Sequence, residues 1–133
     1  MKQYVLGTDS ILAFLENKPG AATVEELLWK AAQAQQRLHM SVISWAALLC
    51  AMMQHGGEKA ARENARQLEQ LPIDLIEVDA AGADTAATIC VTHDVPFAEC
   101  FALALAQQRR ATLVTTNKVF LKVGEVVKIL IAT

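Results

Sequence analysis

The order of elements in this 133-residue chain predicts an α/β fold, three layers α/β/α around a central, mostly parallel sheet. Three observations predict it. Short apolar runs alternate with longer helical patterns from end to end, the order that parallel strands and crossover helices require. One run, "ATLVTTN" (111–117), is apolar without alternation, as a strand buried on both faces is. The composition, 53% hydrophobic against 20% charged, supports one real core and a single domain over 1–133.

Each element has its own signal. Residues 3–6 (QYVL) read as the first strand. It turns at Gly7-Thr8-Asp9-Ser10 into a helix over 9–16, with Ile11, Leu12 and Leu15 on one face. Pro19-Gly20 ends that helix. A second helix over 21–36 places Val24, Leu27, Leu28 and Ala31 at helical spacing. "LHMSVI" (38–43) is the second strand and passes without a linker into an apolar helix over 44–55, stopped by Gly56-Gly57. Residues 58–70 form a polar helix with Ala61, Ala65 and Leu68 inward. "IDLIEVD" (73–79) alternates like a strand and ends on Asp79, placed to cap a helix over 80–92. Pro96 opens the next helix, to residue 109. After the strand at 111–117, Lys118–Phe120 suits one helical turn, and "VVKILI" (126–131) is the last strand.

The net charge of −2 carries no overall basic footprint of a nucleic-acid binder. Arg109, Arg110, Lys118, Lys122 and Lys128 read first as a solvated face, with a binding groove as the alternative. Cys50, Cys90 and Cys100 sit in apolar helical stretches and read as buried free thiols of a reducing compartment. No signal peptide is visible, and the longest apolar run, 43–53, is too short for a bilayer. The expectation is a cytoplasmic protein without membrane contact.

Several chemistries lack their motif. There is no G-x-x-x-x-G-K-[ST], no G-x-G-x-x-G and no G-x-S-x-G. Cys90 and His93 can share a helix face, but two ligands do not make a zinc site. His39 and His55 have no partner visible in sequence. Trp29 and Trp45 lie among apolar residues and read as core.

Open α/β folds bind ligands beyond the carboxyl ends of their strands. Those ends are Gly7-Thr8-Asp9, Ser44-Trp45-Ala46-Ala47 and Thr115-Thr116-Asn117. Glu99 joins them from the helix that Pro96 opens, among Phe97, Ala98, Cys100 and Phe101. Two readings stand for each acid. Glu99 serves a site, or it answers the helix dipole from the first turn. Asp9 serves a site, or it caps its helix, with Thr8 as rival for that role.

The whole arrangement resembles the PIN-domain family, in particular the VapC-type toxins of toxin–antitoxin pairs. "YVLGTDSILAFLE" is similar to a family opening Y-[LV]-L-D-T-x-x-[LI]-L-x-x-L. "MSVISWAALL" is similar to S-V-[IV]-x-x-x-E-[LV]. "VPFAECFALALAQQRRATLVTTNKVF" is similar to L-x-x-x-D-A-x-x-A-x-A-x-x-x-x-A-T-L-V-T-x-D-x-x-F, the most specific of the three. The resemblance implies a PIN-like three-layer fold. It also implies a cluster of acids that holds Mg²⁺ or Mn²⁺ for hydrolysis of an RNA phosphodiester. Carried over position by position, the first family aspartate falls on Gly7 and the glutamate on Ala47. The helix aspartate falls on Glu99 and the last aspartate on Asn117.

The implied site is therefore degenerate at Gly7 and Ala47. Glu99, Asn117 and the displaced Asp9 remain as catalytic and metal-ligand candidates, with Thr8, Ser44 and Thr115 as hydrogen-bonding support. Two carboxylates and an amide are a poor basis for two-metal chemistry, which fixes both ions about 4 Å apart. The expectation is a VapC-like homologue, weakly active or inactive as a nuclease, that acts by binding, with Mg²⁺ or Mn²⁺ held weakly or not at all. The alternative is an active Mg²⁺-dependent endoribonuclease toxin of a toxin–antitoxin pair. A small-molecule site in the same crevice is a third class. Expected partners are a second copy of the chain, an antitoxin protein and RNA. The homodimer follows from Ile43–Met53 and Phe97–Ala106, apolar on nearly every side.

Overall fold

A computed structural model describes all residues, 1–133. The chain runs β1 (Lys2–Leu6), α1 (Thr8–Leu15), α2 (Ala21–Ala32), β2 (Gln36–Ser41), α3 (Val42–Glu69), β3 (Ile73–Ile76), α4 (Ala80–His93), α5 (Phe97–Arg109) and β4 (Thr112–Thr115). A 3-10 helix (Lys118–Val123) and β5 (Ile129–Ile131) complete it. All five strands are parallel, in the order β3-β2-β1-β4-β5. The chain builds outward from β1 on one side and then returns to its other side as β4. That reversal opens the crevice where such sheets take ligands.

Strand alternation divides the core between two layers. Val5 and Leu113 face α4 and α5, where Ile89, Cys100 and Leu103 close against them. Leu6 and Val114, one residue on, face the opposite layer with Ile11, Val24, Leu28 and Leu48 from α1, α2 and α3. The register Leu6↔Val114 keeps each pair on one face. The three-layer expectation is therefore correct, and the sheet is parallel throughout.

Local chemistry sets the helix ends. Asp79 caps α4 as expected, its Oδ1 accepting from the Gly82 N–H at 2.7 Å. α3 breaks at Gly57 (φ 85°, ψ 165°), a backbone that suits only glycine. The apolar helix and the polar helix with Ala61, Ala65 and Leu68 inward lie on either side of that break. α2 stops at Ala32 instead of 36, because Gln36 already pairs with Lys2 at the start of β2. β5 is three residues, shorter than the apolar run 126–131.

One core assignment is corrected. Trp29 is 66% exposed on α2, because it follows Leu28 in sequence yet helical rotation turns it off the Val24–Leu27–Leu28 face. Trp45 is half-buried against the α1–α3 layer. Cys50 is exposed, Cys90 partly buried and Cys100 buried, and all three are free thiols. No single helix is long and apolar enough to cross a membrane.

Candidate functional site

Gly7 follows β1 directly, and its N–H still bonds to the β4 carbonyl of Val114 (3.0 Å). Its backbone is extended (φ −75°, ψ 158°), so glycine is not needed there for conformation. What glycine gives there is room. A Cβ on residue 7 would stand 3.1 Å from Asp9 Oδ1, 3.2 Å from the Val114 carbonyl oxygen and 3.9 Å from Glu99 Oε2. Asp9 leans into the place a longer side chain at position 7 would fill, and Glu99 borders the same space from α5.

Asp9 is neither the cap of α1 nor loose on its surface. The N-cap is Gly7, without a side-chain bond, and Asp9 lies in the first turn. Its Oδ2 accepts from the Thr115 hydroxyl and from the Thr116 N–H (3.2 Å) at the end of β4. Its Oδ1 is buried and has no hydrogen-bond partner. A buried carboxylate oxygen without a donor is costly unless something else compensates it. Thr115 was legible in sequence as support. The Thr116 N–H was not, because backbone donors carry no residue signature.

Glu99 occupies the first turn of α5, partly buried. Burial pushes its carboxyl up to about 7, and the neighbouring Asp9 charge pushes in the same direction. The dipole of α5 favours the ionised form, yet desolvation outweighs it. Glu99 is thus part of the crevice and not merely an answer to its helix.

The remaining candidates divide. Thr8 donates to the Ser44 carbonyl (3.2 Å), tying the start of α1 to that of α3. Ser44 is buried and Ala47 half-buried on α3. Asn117 is exposed, and its Oδ1 accepts from the Val119 N–H (3.0 Å), capping the 3-10 helix. It reaches Asp9 only through its backbone, whose N–H donates to Thr115 Oγ1 (3.1 Å). Asn117 acts here as a turn-former whose oxygen is already engaged.

The family model of the PIN domain matches residues 4–126. The chain belongs to the PIN-domain family. Solved structures show the same fold for this PIN domain at low identity. A chain of Rickettsia felis VapBC2, bound to a promoter DNA fragment, has a TM-score of 0.78 at 17% identity, covering 98% of this chain and 99% of that one. A toxin–antitoxin complex from Klebsiella pneumoniae gives 0.71 at 15%, covering 98% of both chains. Mycobacterium tuberculosis VapC20, described as a sarcin–ricin loop cleaving toxin, gives 0.72 at 16%, covering 91% of this chain and 95% of that one. No curated protein gives a significant match.

Divalent metal can be tested against this PIN domain's own donors. Mg²⁺ takes oxygen ligands and often only one or two carboxylates, with water and substrate phosphate completing the shell. Asp9 Oδ1, buried and unpartnered, and Glu99 Oε2 border one space. No group of three or more Asp, Glu, His or Cys side chains surrounds any point of the molecule. The donors suit one ion between two carboxylates. They do not suit a pair of ions.

Proposed function

We propose that this PIN domain is a VapC-like toxin homologue with a degenerate nuclease centre, and that it works by binding. The observation that carries this reading is the pair of acids at the crevice. Gly7 brings no side chain, Ala47 brings no charge, and Asn117 has its oxygen engaged as a cap. Asp9 and Glu99 alone remain. Burial and the Asp9 charge keep the Glu99 proton to higher pH than a free carboxyl, so the pair carries less negative charge than two free carboxylates.

Two surfaces suit protein partners. A groove of about 580 Å³ between α2 and the segment before β3 is lined by Phe14, Leu28, Trp29 and Leu71, with Glu25 and Glu26 beside them. An apolar groove with acids alongside fits an amphipathic helix bearing Lys or Arg. An antitoxin-type partner is the natural occupant, since the Klebsiella pneumoniae relative was solved in such a complex. Val91 on α4 (87% exposed) and Phe97 on α5 (66% exposed) offer apolar surface to a second copy. Light scattering of the pure protein at tens of micromolar should read a dimer, and a monomer alone counts against this contact.

One observation favours a second reading, a weak Mg²⁺- or Mn²⁺-dependent endoribonuclease. It is the unpartnered Oδ1 of Asp9 facing the same space as Glu99. A divalent ion there would activate water for attack on an RNA phosphodiester. Thr115 and Thr116 would hold Asp9 in place, and Glu99 would have to give up its proton.

Calorimetry with Mg²⁺ and an RNA cleavage assay decide between them. The first reading expects millimolar affinity or weaker, about −4 kcal/mol at most, and no cleavage above the level of Glu99→Ala. Micromolar affinity, or metal-dependent cleavage that vanishes in Glu99→Ala, establishes the nuclease instead.

A further inference from the structure

The basic residues late in the chain do not form one face. Lys122 turns away and donates to the Asp94 carbonyl at 3.2 Å. Arg109, Arg110 and Lys128 instead meet Lys2 around a groove of about 810 Å³. Lys2 opens β1, the two arginines end α5, and Lys128 immediately precedes β5. All four therefore stand at the amino edge of the parallel sheet. Gly7 and the acid pair lie at the other edge, about 16 Å along β1 at ~3.3 Å per residue.

The charge in this groove is uncompensated. No Asp or Glu lines it. None of the four cations takes part in an ion pair, the pairs being Lys18–Glu16, Lys30–Glu26, His39–Asp74 and Arg62–Glu58. In a chain of net charge −2, four cations without an acid are a marked separation of charge. Such a concave basic patch attracts polyanions and concentrates them by its field.

We propose that this groove binds the phosphate backbone of single-stranded nucleic acid. One feature favours that ligand over an acidic peptide. Gln107, exposed at the end of α5, supplies a neutral amide beside the cations, suited to base edges. A polyacidic peptide would use the cations and leave that group idle. The groove is also built from strand starts and one helix end, without a helix or ribbon to enter a duplex groove. The inference does not depend on the chemistry of the acid crevice.

Fluorescence anisotropy with a labelled uridine oligomer of about 12 nucleotides, in EDTA, tests it. With three or four phosphates neutralised, affinity should fall roughly 20- to 50-fold between about 50 and 200 mM salt. Arg109→Gln/Arg110→Gln/Lys128→Gln should weaken low-salt binding at least about tenfold and flatten the salt dependence. Lys118→Gln/Lys122→Gln removes charge outside the groove and should stay within about twofold of the parent. If the triple variant loses its circular dichroism, Lys128→Gln alone replaces it, with an expected loss of about threefold and a shallower salt slope. Absence of low-salt binding by the parent overturns the proposal. So does undiminished binding by the groove variant that is read, or equal loss in the Lys118/Lys122 control. Poly-glutamate of the same length competing as well as the oligomer would make the groove a docking site for acidic protein, and would equally refute the nucleic-acid assignment.

Discussion

Replacing Glu99 by Gln should make the protein more stable at neutral and alkaline pH, although it removes the most conspicuous acid of the crevice. The carboxyl is raised from 4.5 to about 7, first by burial and second by the Asp9 charge. In the unfolded chain it ionises near its ordinary value, while in the folded protein it keeps its proton to higher pH. As pH rises from 4.5 to about 7 the unfolded state loses a proton that the native state retains, so native stability falls across that window and then levels off. At about 1.4 kcal/mol per unit, the full difference amounts to about 3 kcal/mol, an upper figure because a native site relaxes around charge. Gln keeps the shape and does not titrate. Urea midpoints from pH 4.5 to 8.5 in EDTA should coincide for parent and variant at the acid end and diverge with pH. Glu99→Gln should be favoured by up to about 1.5 M urea at pH 8, for a slope near 2 kcal/mol per M. His39, depressed chiefly by burial, titrates in both proteins and cancels in the comparison. Parallel curves, or a gap already present at pH 4.5, would refute the buried-acid argument. Asp9→Asn in the parent should shrink the pH effect only in part, because burial is the larger cause.

Gly7→Asp alone should destabilise by about 1–3 kcal/mol, since its Cβ meets Asp9 Oδ1 at 3.1 Å and a backbone carbonyl at 3.2 Å. A double-mutant cycle with Asp9→Ser should show a favourable coupling of about 1 kcal/mol or more, and simple additivity would mean Asp9 does not occupy that space. Trp29→Ala should change the unfolding free energy measured in urea by no more than about 0.5 kcal/mol, as its exposure requires, and a larger loss would return Trp29 to the core. Leu103→Ala, fully buried against both α4 and the sheet, should cost about 2–5 kcal/mol by the same measurement. Thiol titration of the native protein should find Cys50 reactive and Cys100 silent until denaturant is added, because burial pushes the Cys100 thiol up to about 12. Rapid native reaction of Cys100 would show that α5 opens.

Local pattern settled what local forces settle. The parallel three-layer plan, the break at Gly56-Gly57, the Asp79 cap and the helix that follows Pro96 all follow from side-chain periodicity, φ/ψ preference and short-range hydrogen bonds. So does the placing of Gly7, Glu99 and Asn117 near strand or helix ends, which motif likeness alone put at one crevice. Tertiary structure decided the rest. Whether Trp29 is core depends on which face of α2 meets the sheet, and a four-residue shift in where that helix ends goes unseen in its composition. The basic groove joins Lys2 to residues more than a hundred positions later, so sequence showed only a scatter of cations. Above all, Gly7 reads in sequence as a simple loss of an acid. In the folded chain, β4 arrives beside α1, and Thr115 and Thr116 at its end, 106 and 107 residues away in sequence, draw Asp9 over the open Cβ position of Gly7. The crevice thereby holds a carboxylate that comes from two residues beyond Gly7. No local rule encodes that, because its donors exist only once the parallel strands have paired.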